Sequence, residues 1–203
     1  MTAATAAAFR SQGWVWCARY LRRDVHVNDV PDTGGGVVTL SKQELANLLA
    51  AGLAVVPVQL GDAKLVPTAA AGNSVGTAAA QNARTLGFPV GVTIWCDLEW
   101  AANPPTDTQA VIDYVNAWAA PVVAGGYGAG LYVGPNVPLS GAQLYALPKF
   151  SHYWKAASVT PWVETRGFQI VQSLTLNANG IAIDADVVCI DGKGGRPTWY
   201  VGG

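Results

Sequence analysis

Short apolar segments that are typical of β-strands alternate with helix-like segments along most of this 203-residue sequence. The strand-like segments are rich in β-branched and aromatic residues, and many are bounded by glycine or proline. They lie at residues 14–21, 53–60, 92–98, 129–134, 150–156, 167–174 and 181–190. Strands that alternate with helices usually run parallel, because each helix returns the chain to the start of the next strand. The sequence therefore predicts an α/β fold in one domain over residues 1–203, with residues 196–203 as a tail.

Capping residues mark the helices between these strands. Ser41 and Glu44 have the spacing of a capping box, and Gly52 follows as a helix stop. Further helices are expected at residues 2–12, 74–87, 106–120 and 140–147.

The polar residues near the strand ends favour a barrel over an open doubly wound sheet, although either could accommodate this number of strands. Those that fall late in, or just after, a predicted strand are Asp97, Glu99, Lys155, Gln172 and Asp184. In barrels, catalytic groups gather at the C-terminal ends of the strands. A dinucleotide-binding open sheet would need a glycine-rich turn before its first helix, and "DTGGGVV" (32–38) leads into a strand-like segment instead. We therefore predict a single-domain TIM-like (β/α) barrel.

Charge and hydropathy exclude several classes of partner. The net charge is −1 and the only basic cluster is the short "RYLRRD" run, so we expect no nucleic-acid binding. No apolar run approaches the roughly 20 residues of a membrane span, and no membrane partner is expected. The N-terminus has neither a basic start nor a strong apolar core, so it is interpreted as a helix and not as a signal peptide. The expected location is the cytoplasm, or, for a phage-encoded protein, a released lysin or a virion.

The cysteines and histidines predict no metal site, disulfide or cofactor. Cys17, Cys96 and Cys189 are far apart, and each lies in an apolar strand-like segment. Structural zinc sites and disulfide frameworks need cysteines or histidines at short spacings. The sequence has no such pair of cysteines and only two histidines.

Two carboxylates end the apolar segment "VTIWCDLEW" (92–100). Asp97 and Glu99 are two residues apart, so in a strand they share a face with Cα atoms roughly 6.5–7 Å apart. Neighbouring acids do not both ionise easily, and the raised pKa of one of them would suit a general acid. Alternatively, Arg19 could hold Asp97 in a buried ion pair with a purely structural role.

Several motifs, taken together in their order along the chain, resemble those of a known family. "CDLEW", taken with "WCARYL", "LAAGLAVVPV", "GYGAGLYVG" and "IDADVV", resembles the glycoside-hydrolase-like TIM-barrel domains of unknown function from actinobacteria and their phages. These domains are distant relatives of the family-25 muramidases. Related domains usually open with a short strand that carries an aspartate, whereas here Met1 leads directly into a helix. The first strand is therefore missing, or another segment, for which residues 196–203 are the spare candidate, takes its place.

The resemblance implies a set of site residues. Glu99 would be the general acid and Asp97 its partner, with Asp184 and Asp186 flanking the site from the last strand. Glycosidic hydrolysis needs such a pair of carboxylates. Independently of the resemblance, Arg19 is expected nearby as a substrate-binding candidate, because several acids in one pocket need a compensating charge. The remaining substrate-binding candidates are Trp95, Trp100, Tyr132, Trp154 and Gln172, although Trp95 and Trp154 could equally be core residues.

Two functions follow from these observations. The first is an enzyme that hydrolyses a bacterial cell-wall polysaccharide such as peptidoglycan. The second is a non-catalytic barrel that serves as a binding or structural module, for example a virion component in contact with other virion proteins. The intact D-x-E and D-x-D pairs favour the enzyme, and the absent first-strand aspartate favours the module.

Overall fold

The computed structural model describes residues 1–24, 38–61, 65–99, 107–135 and 137–203, so the glycine-rich residues 32–37 lie outside it. In the described chain, the strands are β1 (Trp16–Leu21), β2 (Ala54–Gln59), β3 (Thr93–Asp97), β4 (Gly128–Val133), β5 (His152–Lys155), β6 (Ile170–Ala178) and β7 (Ile181–Val188). The helices are α1 (Ala3–Ser11), α2 (Lys42–Ala50), α3 (Ala69–Leu86), α4 (Thr108–Ala124) and α5 (Gly141–Tyr145). Seven strands and intervening helices therefore form at the predicted places.

The helices begin where side chains can accept the first free backbone N–H groups. Thr68 accepts from the N–H of Ala71 and so starts α3 five residues before the predicted position 74. Ser41 accepts from the N–H of Glu44, but the Glu44 carboxylate binds Arg19 instead of completing the capping box. No helix in the described ranges is both long and apolar enough to cross a membrane.

The strands form one sheet in sequence order, and the sheet curls into an open barrel. Strands β1 to β6 are parallel, whereas β7 is antiparallel to β6. Within the described chain, β1 and β7 are the two edges of this sheet and do not pair with each other. The barrel-like α/β fold is confirmed, but the expectation of closure by a parallel last strand is wrong.

A tight turn explains the direction of the last strand. Asn179 and Gly180 both have positive φ, 54° and 75°, and join the paired residues Ala178 and Ile181. Positive φ at both central residues is the requirement of the two-residue hairpin turn that Asn-Gly favours. The chain therefore reverses directly from β6 into β7, without the helix that a parallel connection needs.

Large side chains fill the interior of the barrel. Trp95 is fully buried there and packs against Trp154, with ring centroids 5.6 Å apart. Gly130 on the neighbouring strand makes room, since a Cβ at that position would lie 2.7 Å from the Trp95 ring. A second, larger core lies between the outer face of the sheet and the helices.

The tail, residues 196–203, does not form the additional strand beside β1 for which it is the candidate. Tyr200 and Val55 exchange backbone hydrogen bonds of 2.8 and 3.0 Å, and the N–H of Thr93 donates to Thr198 O at 2.9 Å. The tail thus fills the space between the N-terminal ends of β2 and β3. Trp199 stacks on Trp16 with centroids 6.0 Å apart. The tail therefore closes the bottom of the barrel and leaves the gap between β1 and β7 open.

We expect Trp199→Ala to lower the free energy of unfolding by about 2–3 kcal/mol. This is slightly less than the cost of truncating a fully buried tryptophan, because the Trp199 ring is half-buried. Urea unfolding followed by circular dichroism measures the change. Val201→Ala is the control, because that side chain is 60% exposed and its loss should cost under about 0.5 kcal/mol. Equal stabilities of the two variants would contradict a closing role for Trp199.

Candidate functional site

A cavity of about 970 Å³ runs between the free edges of β1 and β7 and opens at the C-terminal ends of β3 and β4. The four acids predicted from the sequence all line it: Asp97, Glu99, Asp184 and Asp186. Tyr20, Tyr132 and Gln172 line the same part of the cavity. The acidic end of this cavity is the candidate site.

Asp97, the last residue of β3, is held firmly at the base of the site. It is only 8% exposed, and its two carboxylate oxygens accept from the N–H of Glu99 at 2.9 Å and of Gly61 at 3.3 Å. Burial raises the pKa of Asp97 to about 6, and the negative charge of Glu99 adds to the rise. The two backbone N–H groups and the charge of Arg23 oppose it. Asp97 thereby fixes the turn that carries Glu99.

Glu99 lies just beyond the strand and, unlike Asp97, is exposed to solvent. Its backbone packs against Gly134 after β4, where an added Cβ would lie 2.2 Å from Glu99 Cα. A side chain at position 134 would therefore displace the turn. Because the backbones of Glu99 and Gly134 are in close contact, the Glu99 side chain lies at the open end of the cavity.

Asp184 and Asp186 share the inward face of β7. Asp186 accepts a hydrogen bond of 2.8 Å from the indole Nε1 of Trp154. Burial raises the pKa of Asp186 to about 6, with the Trp154 hydrogen bond lowering it and the charge of Asp184 raising it. Asp184 is exposed and accepts from Thr175 Oγ1 at 2.6 Å. Asp184 is the fourth residue of β7 and so lies within the strand and not at its C-terminal end.

Two tyrosines lie among the acids. The hydroxyl of Tyr132 donates to Gln172 Oε1 at 2.8 Å, and the same oxygen accepts from the N–H of Ala157 at 3.3 Å. Burial raises the pKa of Tyr20 to about 12, and the charges of Asp97, Glu99 and Asp184 add to it. The same causes raise the pKa of Tyr132. Sequence reasoning missed Tyr20, although its even position on β1 directs it inward with Trp16 and Ala18.

The expectation that Arg19 compensates the charge of the acids is wrong. Its guanidinium binds both oxygens of Glu44, at 2.8 and 3.2 Å, and Val38 O at 2.8 Å. As an odd-numbered residue of β1, Arg19 points outward to α2. The cation that lowers the pKa of Asp97 is Arg23, whose Nε donates to Gly61 O at 3.0 Å.

The predicted aromatic sugar platforms are mostly core residues. Trp95 has no exposed surface, so its predicted contact with a sugar is contradicted. Trp154 is 5% exposed, and its indole N–H is already bonded to Asp186. Tyr132 is half-buried and lines the cavity. Trp100 lies outside the described residues.

The raised pKa of Asp186 implies a specific pH dependence. A carboxyl whose folded pKa lies above its unfolded value destabilises the fold progressively from about pH 4 to pH 6 and fully above that range. Asp186→Asn removes this penalty and can still accept from Trp154. We expect about 1 kcal/mol of added stability at pH 8, a rise in Tm of about 2–4 °C, and little change at pH 4.

Thermal unfolding at both pH values measures the effect of Asp186→Asn. Asp113→Asn is the control, because Asp113 is an exposed carboxylate on α4. A gain at pH 8 that is no larger than at pH 4 would show that ionised Asp186 is not destabilising.

Comparisons with known proteins agree with this architecture. The sequence profile of the Rv2525c-like, glycoside hydrolase-like domain matches residues 7–188. The crystal structure of the Mycobacterium tuberculosis Tat-secreted protein Rv2525c in complex with HEPES is similar, with a TM-score of 0.63 and 15% identity over 91% of this chain and 89% of that chain. An uncharacterized Bacillus stearothermophilus protein has a TM-score of 0.59 and 19% identity over 85% of this chain and 83% of that chain. No curated protein matches the sequence.

These structural similarities lie at low sequence identity and show the fold alone. The profile, in contrast, extends from α1 to the end of β7 and includes all four acids of the site. The chain therefore belongs to the Rv2525c-like, glycoside hydrolase-like domain family.

Proposed function

We propose that the acidic end of the cavity binds a bacterial cell-wall polysaccharide and hydrolyses its glycosidic bonds, in the manner of a muramidase. One observation carries the proposal. The exposed Glu99 carboxylate stands at the mouth of a large cavity on a turn that the buried Asp97 holds in place. Membership of a glycoside-hydrolase-like family supports a role in carbohydrate chemistry.

The acids differ in ways that suit different roles. Glu99 is accessible and is the general acid that protonates the leaving oxygen. Asp97 has both oxygens engaged by backbone N–H groups, so it stabilises positive charge on the sugar ring and does not attack it. Asp186 and Asp184, across the cavity on β7, bind sugar hydroxyls or orient the attacking water.

The second candidate is a non-catalytic carbohydrate-binding or structural module, such as a virion component. The two backbone hydrogen bonds of Asp97 favour it, because they also give that carboxylate a structural role. In that case the cavity would hold the polysaccharide without cleaving it.

Incubation of the pure protein with purified bacterial cell walls tests the proposal. Newly formed reducing ends are measured in the soluble fraction, and bound protein is measured in the wall pellet. Hydrolysis predicts both wall binding and a steady release of reducing ends, with boiled protein as the control. Binding without release would favour the module, and the absence of both would overturn the carbohydrate role.

A further inference from the structure

The gap between the free edges of β1 and β7, which we call the seam, exposes backbone groups of β1. The N–H of Ala54 donates to Val15 O, so the odd-numbered residues of β1 face β2. On the opposite side, Tyr20 O accepts from the N–H of Leu40. The N–H and C=O groups of Trp16 and Ala18 therefore face the seam, where the described chain provides no partner strand.

Burial distinguishes the seam from the rest of the barrel. Five of the six residues of β1 are half-buried, whereas every residue of β2 and β3 is buried. An edge strand with free N–H and C=O groups is a template for an added strand. The cavity follows β1 from Val15 at the bottom to Tyr20 at the acidic end, and it follows β7 from Ile181 to Asp186.

The two sides of the seam differ in chemistry. On the outer side, toward α1, the lining is apolar and includes Phe9, Cys17, Ile181 and Ile183. On the inner side, toward the barrel interior, the lining carries acids and tyrosines, namely Tyr20, Asp97, Glu99, Tyr132, Asp184 and Asp186. An inserted strand would direct alternate side chains to these two sides.

We propose that the seam binds an extended peptide segment of a partner protein as an additional β-strand. Its backbone pairs with Trp16 and Ala18 on β1 and with the free edge of β7. Apolar side chains point outward to Phe9 and Ile183, and cationic side chains point inward to Asp184 and Asp186. Because Tyr20 O is already bonded to Leu40, the segment pairs on β1 with Trp16 and Ala18 only, and six residues are more than enough to span them.

Free backbone groups and charge favour a peptide over other occupants. A lipid chain would bury the N–H and C=O groups of Trp16 and Ala18 without giving them hydrogen-bond partners, which is unfavourable. A peptide strand satisfies these groups in register. The guanidinium of Arg19, which also lines the cavity, is already paired with Glu44, so the inner acids attract a cationic partner.

Binding of a synthetic peptide tests the proposal independently of any hydrolysis. The probe is a capped hexapeptide in which valine and lysine alternate, and isothermal titration calorimetry measures its Kd. A second peptide has the same composition with the three lysines before the three valines. A third is the alternating peptide with N-methyl groups on its valines, which removes the N–H groups along one edge.

The alternating peptide should bind at least ten times more tightly than either of the other two, and it should slow amide exchange at Trp16 and Ala18. Ala18→Pro removes an N–H that faces the seam and leaves the β1–β2 ladder intact, so it should weaken binding at least tenfold. Val201→Pro, in the exposed tail, is the matched control.

Several results would overturn the proposal. These are equal binding of the three peptides, unchanged amide exchange at Trp16 and Ala18, or no binding of the alternating peptide at millimolar concentration. If Ala18→Pro fails to fold, the N-methylated peptide still decides, because it changes the ligand alone. Wall hydrolysis without peptide binding would overturn only this inference, and peptide binding without wall binding or hydrolysis would overturn only the proposed function.

Discussion

Replacing Glu99 with glutamine is expected to slow release of reducing ends from cell walls by a factor of about 10²–10⁴, the usual contribution of a general acid. Glutamine has nearly the same shape but carries no proton that it can give to the leaving oxygen. The backbone N–H of Glu99, which donates to Asp97 Oδ1, is unaffected. Because the side chain is exposed, stability should change by less than about 0.5 kcal/mol.

Two measurements separate this catalytic effect from other causes. Wall binding and the thermal unfolding midpoint of Glu99→Gln should equal those of the unmodified protein. Glu164→Gln is the matched control, since Glu164 is an exposed carboxylate on the segment between β5 and β6. If Glu99→Gln retains more than half of the rate, the general acid is another group, and the half-buried Asp186 becomes the first alternative.

The order and type of the elements could be predicted from the sequence because periodicity and capping are local. The predicted ends of elements are less accurate, because a proline or glycine does not always end a helix. The helix predicted to end at residue 120 continues through Pro121 to Ala124 as α4. Proline costs a helix one N–H bond and a steric clash, and packing of the buried Val122 against the core offsets that cost.

The direction of β7 has a local signal in the sequence. In "TLNANGIAID", alternating apolar residues flank Asn179-Gly180, which is the strongest short-range indication of a hairpin. The strand–helix alternation favoured a parallel last strand instead. Closure of the barrel had no such signal, because it depends on contacts between residues far apart in the chain.

The four acids line one cavity, as expected. Strand parity within each pair can be read from the sequence, whereas β7 reaches the cavity through the hairpin and not through the expected parallel strand end. Charge alone places Arg19 beside the acids, whereas its odd position on β1 directs it outward to Glu44. The burial of Trp95 depends on the glycine at position 130, and that of Trp154 depends on the curvature of the sheet. Neither of these can be read from the residues near the tryptophans.

Gly76→Ala should destabilise the protein by about 3 kcal/mol, because α3 and α4 pack with their backbones in contact. A Cβ at position 76 would lie 2.1 Å from the backbone oxygen of Trp118, and one at position 72 would lie 2.2 Å from that of Tyr114. Neither oxygen is at the end of a flexible side chain, so the helices must move apart. The better helix propensity of alanine offsets only about 1 kcal/mol of this destabilisation.

Separation of these helices would also disturb β3, which lies between them in the chain and ends at Asp97. The indole of Trp118 is fully buried and stacks on Phe150 at 6.2 Å, so a shift of α4 loosens the core behind the site. We therefore expect Gly76→Ala to lower Tm by about 6–12 °C. Ser74→Ala, on the exposed face of the same helix, should change Tm by about 2 °C or less. Equal Tm values for the two variants would show that α3 and α4 can separate without loss of packing.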